Sequence, residues 1–169
     1  MKNWLKLSLL VAATGFMMSN NVIIDNSKSA FDARINTYKY ECREMIKPFR
    51  YEGSRITYFV RHQERQVRSV QAYLILDTEY KFAFSGKECF SKVSIKVYDS
   101  GNDSKRVLLK EIKNIKGKNM MISSNEMVHI FHRKVSKDER LRTVYIEYEI
   151  EGGAIDRNEA IIMVVGYKD

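Results

Sequence analysis

The sequence predicts a mainly β protein, an antiparallel, jelly-roll-like β-sandwich of about eight strands preceded by one amphipathic helix. Three observations support this. Apolar residues recur at steps of three and four before Gly53 and at every second position after it. Turn residues separate the alternating runs at short spacing. The chain also has 10 Tyr and 8 Phe, side chains that favour strands.

Composition excludes several classes of protein. The 169 residues include 29 Lys+Arg against 21 Asp+Glu, so the formal net charge is +8. The aromatic and β-branched content is too high for a disordered chain. Two Cys are too few for a disulfide-built miniprotein, and eight Gly with one Pro are too few for a collagen-like chain. The length predicts a single domain.

The N-terminal residues have the pattern of a secretory signal peptide. Lys2 and Lys6 precede an uncharged run over 7–18, which falls short of the roughly 20 apolar residues of a membrane span. We therefore expect a signal peptide and short leader over 1–30 and one domain over 31–169. Export would place the protein in the periplasm or outside the cell. The alternatives are a buried N-terminal helix and an uncleaved anchor.

The first structural element is a helix over about 32–47. Asp32 is a plausible N-cap, and Pro48 disfavours helical geometry at the preceding residue. We expect this helix to cover an open end or an edge of the sandwich. Its apolar face comprises Phe31, Ile35, Tyr38, Cys42, Met45, Ile46 and Phe49.

Alternation of apolar and polar residues predicts the strands that follow. The last run, 160–165, is apolar on both faces, so we expect it to lie centrally in its sheet. The clearer runs are 55–60, 66–76, 80–84, 92–97, 144–150 and 160–165, and the weaker ones are 107–112, 119–122 and 127–131.

The two cysteines lie in different elements. Cys42 is on the apolar face of the helix, and Cys89 follows an aromatic strand. In an oxidising compartment we expect a Cys42–Cys89 disulfide, whose loop of about 48 residues would add roughly 4 kcal/mol of stability. The alternative is two separately buried thiols.

Three groups of residues could carry chemistry: a pair of histidines, an oxygen-rich turn and a row of glutamates. Each group also has a purely structural interpretation. His129 and His132 fall in the weak strand 127–131, where odd spacing sends them to opposite faces and away from a shared metal. The oxygen-rich turn over 99–103, with Asp99, Asn102 and Asp103, suits either calcium or a simple turn.

A ladder of acidic residues lies on one face of a predicted strand. Glu147, Glu149 and Glu151 occupy alternate positions there. Paired carboxylates can act in glycoside hydrolysis, but they must face each other across a cleft. We expect this ladder to cover an outer sheet face and to pair with Lys92 and Lys96 on another strand.

The densest group of basic residues lies on the first two predicted strands and their connection, interleaved with aromatic residues. Arginines with aromatics can hold anionic polymers by charge neutralisation and stacking, and the alternative is a solvated face. The candidate binding residues are Arg55, Tyr58, Arg61, Arg65 and Arg68.

The strand pattern resembles that of exported bacterial β-sandwich modules of the pre-peptidase C-terminal type and their jelly-roll relatives. An aromatic strand over 76–84 precedes a strand over 93–99 that ends in Tyr-Asp, and the strand over 143–148 precedes the final apolar run. The resemblance implies a non-catalytic module that assists adhesion, substrate binding or secretion. It transfers no functional residue.

These observations lead us to expect an exported, non-enzymatic binding or accessory module without catalytic residues, metal or cofactor. Its partner would be an envelope protein or an anionic polysaccharide, not nucleic acid, and membrane contact would occur only through an uncleaved signal segment. The alternatives are a small hydrolase with a site built from sequence-distant His and Glu residues, and a lectin-like carbohydrate-binding module.

Overall fold

The computed structural model describes residues 26–101, 104–154 and 157–169. Residues 1–25, which make up most of the predicted signal peptide and leader over 1–30, and residues 102, 103, 155 and 156 lie outside this description. Residues 26–30 of the predicted leader belong to the first helix. The elements in chain order are α1 (Asn26–Met45), β1 (Arg50–Val60), β2 (Gln66–Tyr73), β3 (Glu79–Glu88), β4 (Val93–Tyr98), β5 (Leu108–Ile112), β6 (Asn119–Ser123), α2 (Ser124–Lys134), β7 (Thr143–Ile150) and β8 (Asn158–Lys168).

The strands form two antiparallel four-stranded sheets, as the sequence predicts. Sheet A has the order β1-β8-β3-β6, and sheet B has the order β2-β7-β4-β5. Alternate residues of both sheets point inward, so a main core forms between the sheets. Its largest fully buried aromatic side chains are Tyr80, Phe82, Phe84 and Tyr148.

Helix α1 covers the outer face of sheet A. Its stripe meets β3 and β8 and forms a second apolar cluster with Ala83, Ala160, Ile162 and Val164. The expectation that the helix covers an end or an edge was wrong. Sheet A presents apolar residues on both faces, and an amphipathic helix is the element that can bury the outer one. Asp32 lies inside the helix and is exposed, so it is not the N-cap.

Strand β8 has a central position, which confirms the prediction from its apolar run. It lies between β1 and β3. Ile161 and Met163 point into the main core, and Ile162 and Val164 point towards α1. Both faces of the strand are therefore buried.

Residues 127–131 form part of α2 and not a strand, so the prediction for this segment was wrong. Ser123 caps the helix, because its side chain accepts a hydrogen bond from Asn125 N at 3.2 Å. Met127 and Phe131 are buried one helical turn apart, where the helix packs against β3, β5 and β6. A four-residue spacing on one helix face explains the apolar run that had suggested a strand.

The predicted disulfide is absent, and both cysteines are free and buried. Cys42 belongs to the cluster between α1 and sheet A, whereas Cys89 belongs to the core between the sheets. The Cys89 thiol donates a hydrogen bond to Ala160 O at 3.3 Å. The two thiols thus lie on opposite sides of sheet A, which explains why spacing along the sequence misled the prediction.

Candidate functional site

A cleft of about 950 Å³ opens at one end of the sandwich, where the first turns of α1 overhang the ends of β1 and β3 and the start of β8. This volume lies within the range of small-molecule binding sites. Its lining combines aromatic, cationic and carboxylate side chains. The lining residues are Ser27, Lys28, Phe31, Asp32, Arg34, Tyr58, Phe59, Val60, His62, Arg68, Glu88, Arg157, Asn158 and Glu159.

Glu159 forms one buried part of the cleft wall. Its Oε2 accepts hydrogen bonds from the amides of Phe90 and Ser91 at 2.8 and 3.0 Å, and its Oε1 accepts from Ser91 Oγ at 3.1 Å. Three donors therefore compensate a buried carboxylate. The same contacts hold the β3–β4 connection against the start of β8.

Glu88 is the second buried carboxylate of the cleft. Arg34 of α1 donates to it with both Nε and a terminal nitrogen, at 2.6 and 3.2 Å. The hydrogen bond to Glu88 raises the pKa of Arg34, so the guanidinium keeps its charge. This paired geometry fastens the first half of the helix to β3.

The remaining wall is aromatic and basic. Phe31 of α1 and Tyr58 of β1 lie with ring centroids 6.3 Å apart, and Tyr58 is exposed. Arg157 stacks on the Phe90 ring at 3.5 Å. Arg68 is exposed and donates a hydrogen bond to Gln66 at 3.1 Å. The two buried carboxylates already accept hydrogen bonds from the protein. The cleft therefore offers a ligand several cations and ring faces beside one exposed carboxylate, Asp32.

The structure brings two of the five predicted binding residues into this cleft, Tyr58 and Arg68. Arg65 instead pairs with Glu149 at 2.7 Å on the outer face of sheet B. Arg61 packs against Gly153, and its Nε is buried without a hydrogen-bond partner among the described residues. Gly153 has no side chain, and a Cβ there would collide with the guanidinium.

Arg55 lies on the inner face of edge strand β1. Its register partner is Met163, a residue of the main core, and Arg55 itself is exposed at the side of the sandwich. Its charge opposes the rise in pKa that burial imposes on Tyr148. Arg68 occupies the equivalent position on β2, with Tyr148 as its register partner. Both arginines are therefore inward-facing charges on edge strands.

The glutamates of β7 cover the outer face of sheet B and pair with lysines, as the sequence predicts. Lys96 Nζ lies 2.9 Å from Glu149 Oε1, and Lys92 Nζ lies 3.6 Å from Glu151. The hydrogen bond from Lys96, aided by Arg65, holds the pKa of the Glu149 carboxyl below its usual value. Glu147 pairs with Arg106. These carboxylates face solvent on one strand and do not converge across a cleft.

The described residues contain no group of three or more His, Cys, Asp or Glu side chains placed to hold a metal. His129 and His132 lie on α2, where His129 is exposed. Asp99 accepts a hydrogen bond from Val107 N at 2.6 Å and so closes the β4–β5 turn. Asn102 and Asp103, the other predicted calcium ligands, lie outside the described residues.

A hollow of about 330 Å³ lies at the opposite end, between α2 and the β2–β3 turn. It contains His132 and Glu79, and Glu79 accepts a hydrogen bond from Ser123 at 3.3 Å. No sequence pattern pointed to this hollow, because the segment that forms α2 was predicted as a strand.

Neither a protein-family model nor a curated protein sequence matches the chain. Among the described residues, neither helix is long and apolar enough to cross a membrane.

Proposed function

We propose that the protein is an exported, non-enzymatic binding module of the cell envelope, and that its cleft holds a segment of an anionic polymer. One observation carries this proposal: the cleft presents arginines beside aromatic rings, while its two buried carboxylates, Glu88 and Glu159, already accept hydrogen bonds from the protein. Arg68, Arg157 and Tyr58 are the groups that a ligand would meet. Guanidinium groups bind carboxylates and phosphates with directional, charge-assisted hydrogen bonds.

The net charge and the expected export support the same conclusion. A formal charge of +8 favours association with negatively charged partners. The signal-like residues 1–18 direct the proposal towards an envelope polysaccharide and away from nucleic acid. Flat aromatic rings suit the apolar faces of sugar rings, so an acidic polysaccharide fits the cleft better than a bare polyphosphate.

Calorimetric titration of the purified protein with polygalacturonate, and with dextran as a neutral polymer, tests the proposal. We expect polygalacturonate to bind, with an affinity that falls as salt rises. Arg68→Ala should weaken binding about tenfold or more, because a charge-assisted hydrogen bond contributes about 1.5–3 kcal/mol. Arg50→Ala is the matched control, since Arg50 is an exposed arginine at the other end of β1.

The outcomes separate the proposal from its alternatives. Equal affinity for dextran would favour a lectin-like module that uses Tyr58. Absence of polymer binding, together with cross-linking to an envelope protein that Arg68→Ala abolishes, would indicate a protein partner. Either result would contradict the proposed polymer ligand.

A hydrolase remains the second candidate because Glu88, Glu159 and His62 line the same cleft. Both carboxylates, however, are fully engaged by Arg34 and by the 90–91 segment, as structural carboxylates are. Release of reducing ends from polygalacturonate, lost in Glu159→Gln while the variant stays folded, would establish this alternative. We expect no release.

A further inference from the structure

The β2–β3 turn exposes apolar side chains at the end of the sandwich opposite the cleft. Tyr73 and Ile75 are 71% and 69% exposed, the most among large apolar residues of the described chain, and Leu76 is 41% exposed. Asp77 follows with a φ of 60°, a left-handed conformation that Asp tolerates. The turn therefore projects Ile75 and Leu76 into solvent.

The fold holds this turn in place. Leu74 is buried, and its amide donates to Arg142 O at 2.8 Å. The amide of Ile75 donates to the hydroxyl of Tyr80, which is buried in the core, at 3.2 Å. Two adjacent backbone anchors thus fix the chain at Leu74 and Ile75, so the start of the exposed turn is already ordered before anything binds to it.

Basic residues flank the exposed turn. The segment that connects α2 to β7 runs beside it, as the Leu74–Arg142 hydrogen bond and a 3.0 Å pair between Arg140 and Asp77 show. That pair is exposed on both sides and therefore weak. The nearby carboxylates are Asp77, Glu79, Asp138 and Glu139. The cations of this segment are Lys137, Arg140 and Arg142, and Arg133 and Lys134 end the helix that precedes it.

We propose that this apolar end, formed by Tyr73, Ile75, Leu76 and the flanking cations, docks on an anionic lipid bilayer. Ile75 and Leu76 would enter the boundary between headgroups and acyl chains, and Tyr73 would lie at the headgroup level. Arg140 and Arg142 would meet the lipid phosphates. The sequence had led us to expect membrane contact only through the N-terminal segment, and this turn supplies a second route.

Area favours a bilayer over a protein partner. Three exposed side chains on a turn cover a few hundred Å² at most, whereas a stable protein interface buries roughly 800 Å² on each partner. A bilayer needs only that a few apolar side chains insert while cations remain at its surface. The apolar end lies roughly 20 Å along β2 from Gln66, so docking would leave the cleft open.

Co-sedimentation with vesicles tests the proposal. We expect the protein to bind vesicles of equal phosphatidylcholine and phosphatidylglycerol, and to bind pure phosphatidylcholine weakly. Ile75→Ser with Leu76→Ser should lower the affinity at least tenfold. Arg140→Ala with Arg142→Ala should lower it about 25-fold on anionic vesicles only, since each cation contributes about fivefold.

Val67→Ser is the matched control, because Val67 is 50% exposed at the far end of the same strand. It should leave binding unchanged. Binding that persists in the Ile75 and Leu76 variant, or no binding to anionic vesicles, would overturn the proposal. So would self-association in sedimentation velocity that the same variant abolishes, which would identify a protein contact. Arg68→Ala should not alter vesicle binding, so this proposal and the proposed cleft function fail separately.

Discussion

At the residue scale, Glu159 shows how hydrogen bonds allow this fold to bury a carboxylate. Its carboxylate is inaccessible to solvent and satisfies two backbone amides and one hydroxyl of the 90–91 segment. An unpaired carboxylate at this position would be strongly destabilising. The side chain therefore links β8 to the β3–β4 connection through hydrogen bonds. This link forms part of the cleft wall.

We predict that Glu159→Ala lowers the free energy of unfolding by about 3 kcal/mol, because it leaves buried donors without an acceptor. Glu159→Gln should cost less, since one amide oxygen still accepts. Urea denaturation followed by circular dichroism measures both. Glu151→Ala, which removes an exposed carboxylate 3.6 Å from Lys92, should change stability by less than about 0.5 kcal/mol. Equal losses at 159 and 151 would contradict this account of Glu159.

The free cysteines make stability depend on pH. Burial raises the pKa of Cys42 to about 12, and burial also raises the pKa of Cys89. Unfolded thiols ionise near pH 8.5–9, so above that value the unfolded chain binds fewer protons than the native one. Stability is therefore complete below about pH 8.5 and falls as the pH rises towards the native pKa.

We predict a loss of about 2 kcal/mol of unfolding free energy between pH 9 and pH 10 from the two thiols together. Urea titrations at these pH values measure it, and the Cys42→Ala, Cys89→Ala double variant should show a flatter profile. Ellman's reagent should react with neither thiol in the native protein and with both in denaturant. A native protein with no titratable thiol even in denaturant would instead indicate the disulfide that the structure lacks.

At the scale of elements, α1 is held on sheet A by an apolar stripe and by polar contacts, which have different roles. Ile35, Cys42 and Ile46 bury against sheet A, while Glu41 contacts Lys87 at 2.6 Å and Asn119 at 2.7 Å. The hydrogen bond from Lys87, followed by that from Asn119, lowers the pKa of the Glu41 carboxyl. The apolar contacts supply most of the stabilisation, and the polar ones fix the position of the helix along the sheet.

We predict that Ile46→Ala lowers the unfolding free energy by about 3 kcal/mol, as expected for a fully buried isoleucine that leaves a cavity. Tyr40→Ala on the exposed face of α1, which Ile46 directly follows, should have little effect. Thermal or urea unfolding measures the difference. Similar small effects for both variants would show that the helix is not docked on sheet A.

The sequence of α2 contains a helix signal that competes with a strand-like apolar run. Ser123 and Glu126 have the spacing of a capping box, and Met127 and Phe131 follow four residues apart. That local signal indicated a helix. The short apolar run over 127–131 also fitted a strand, because a five-residue segment does not distinguish the two periods.

At the scale of the whole molecule, the sandwich has one protected side and one open side. Helix α2 packs against β5 and β6, the edge strands on one side. On the other side, edge strands β1 and β2 carry inward-facing Arg55 and Arg68. Inward-facing charges discourage one sheet from pairing with another, so these arginines protect the open edges.

We predict that Arg55→Val with Arg68→Val increases aggregation of the folded protein, measured by light scattering at rising concentration. The apolar substitutions would extend the core pattern to an unpaired edge. Arg65→Val, outside the inner faces, is the control and should remain monodisperse. A double variant as soluble as the control would show that the two arginines do not protect the edge.

The alternation of residues predicted most of the fold, because strand periodicity is a local property. The central place of β8 followed from its two apolar faces, and the Lys92 and Lys96 pairs with the β7 glutamates followed from facing positions on neighbouring strands. The cleft was only half predictable. Tyr58 and Arg68 stood out in sequence, but Glu88, Arg34 and Arg157 converge from three distant segments that no local pattern connects.

Because α1 covers one face of sheet A and sheet B covers the other, the central strands of sheet A should be the last part of the protein to unfold. Helix α1, sheet A and sheet B form three layers at β3 and β8, which are therefore buried on both faces. Amides of β8 should exchange with deuterium only through complete unfolding, whereas those of edge strand β2 should exchange through local fraying. Tolerance to substitution should follow the same order. The solvent-exposed outer face of sheet B should accept many residue types, whereas β8, which is buried under α1, should accept few.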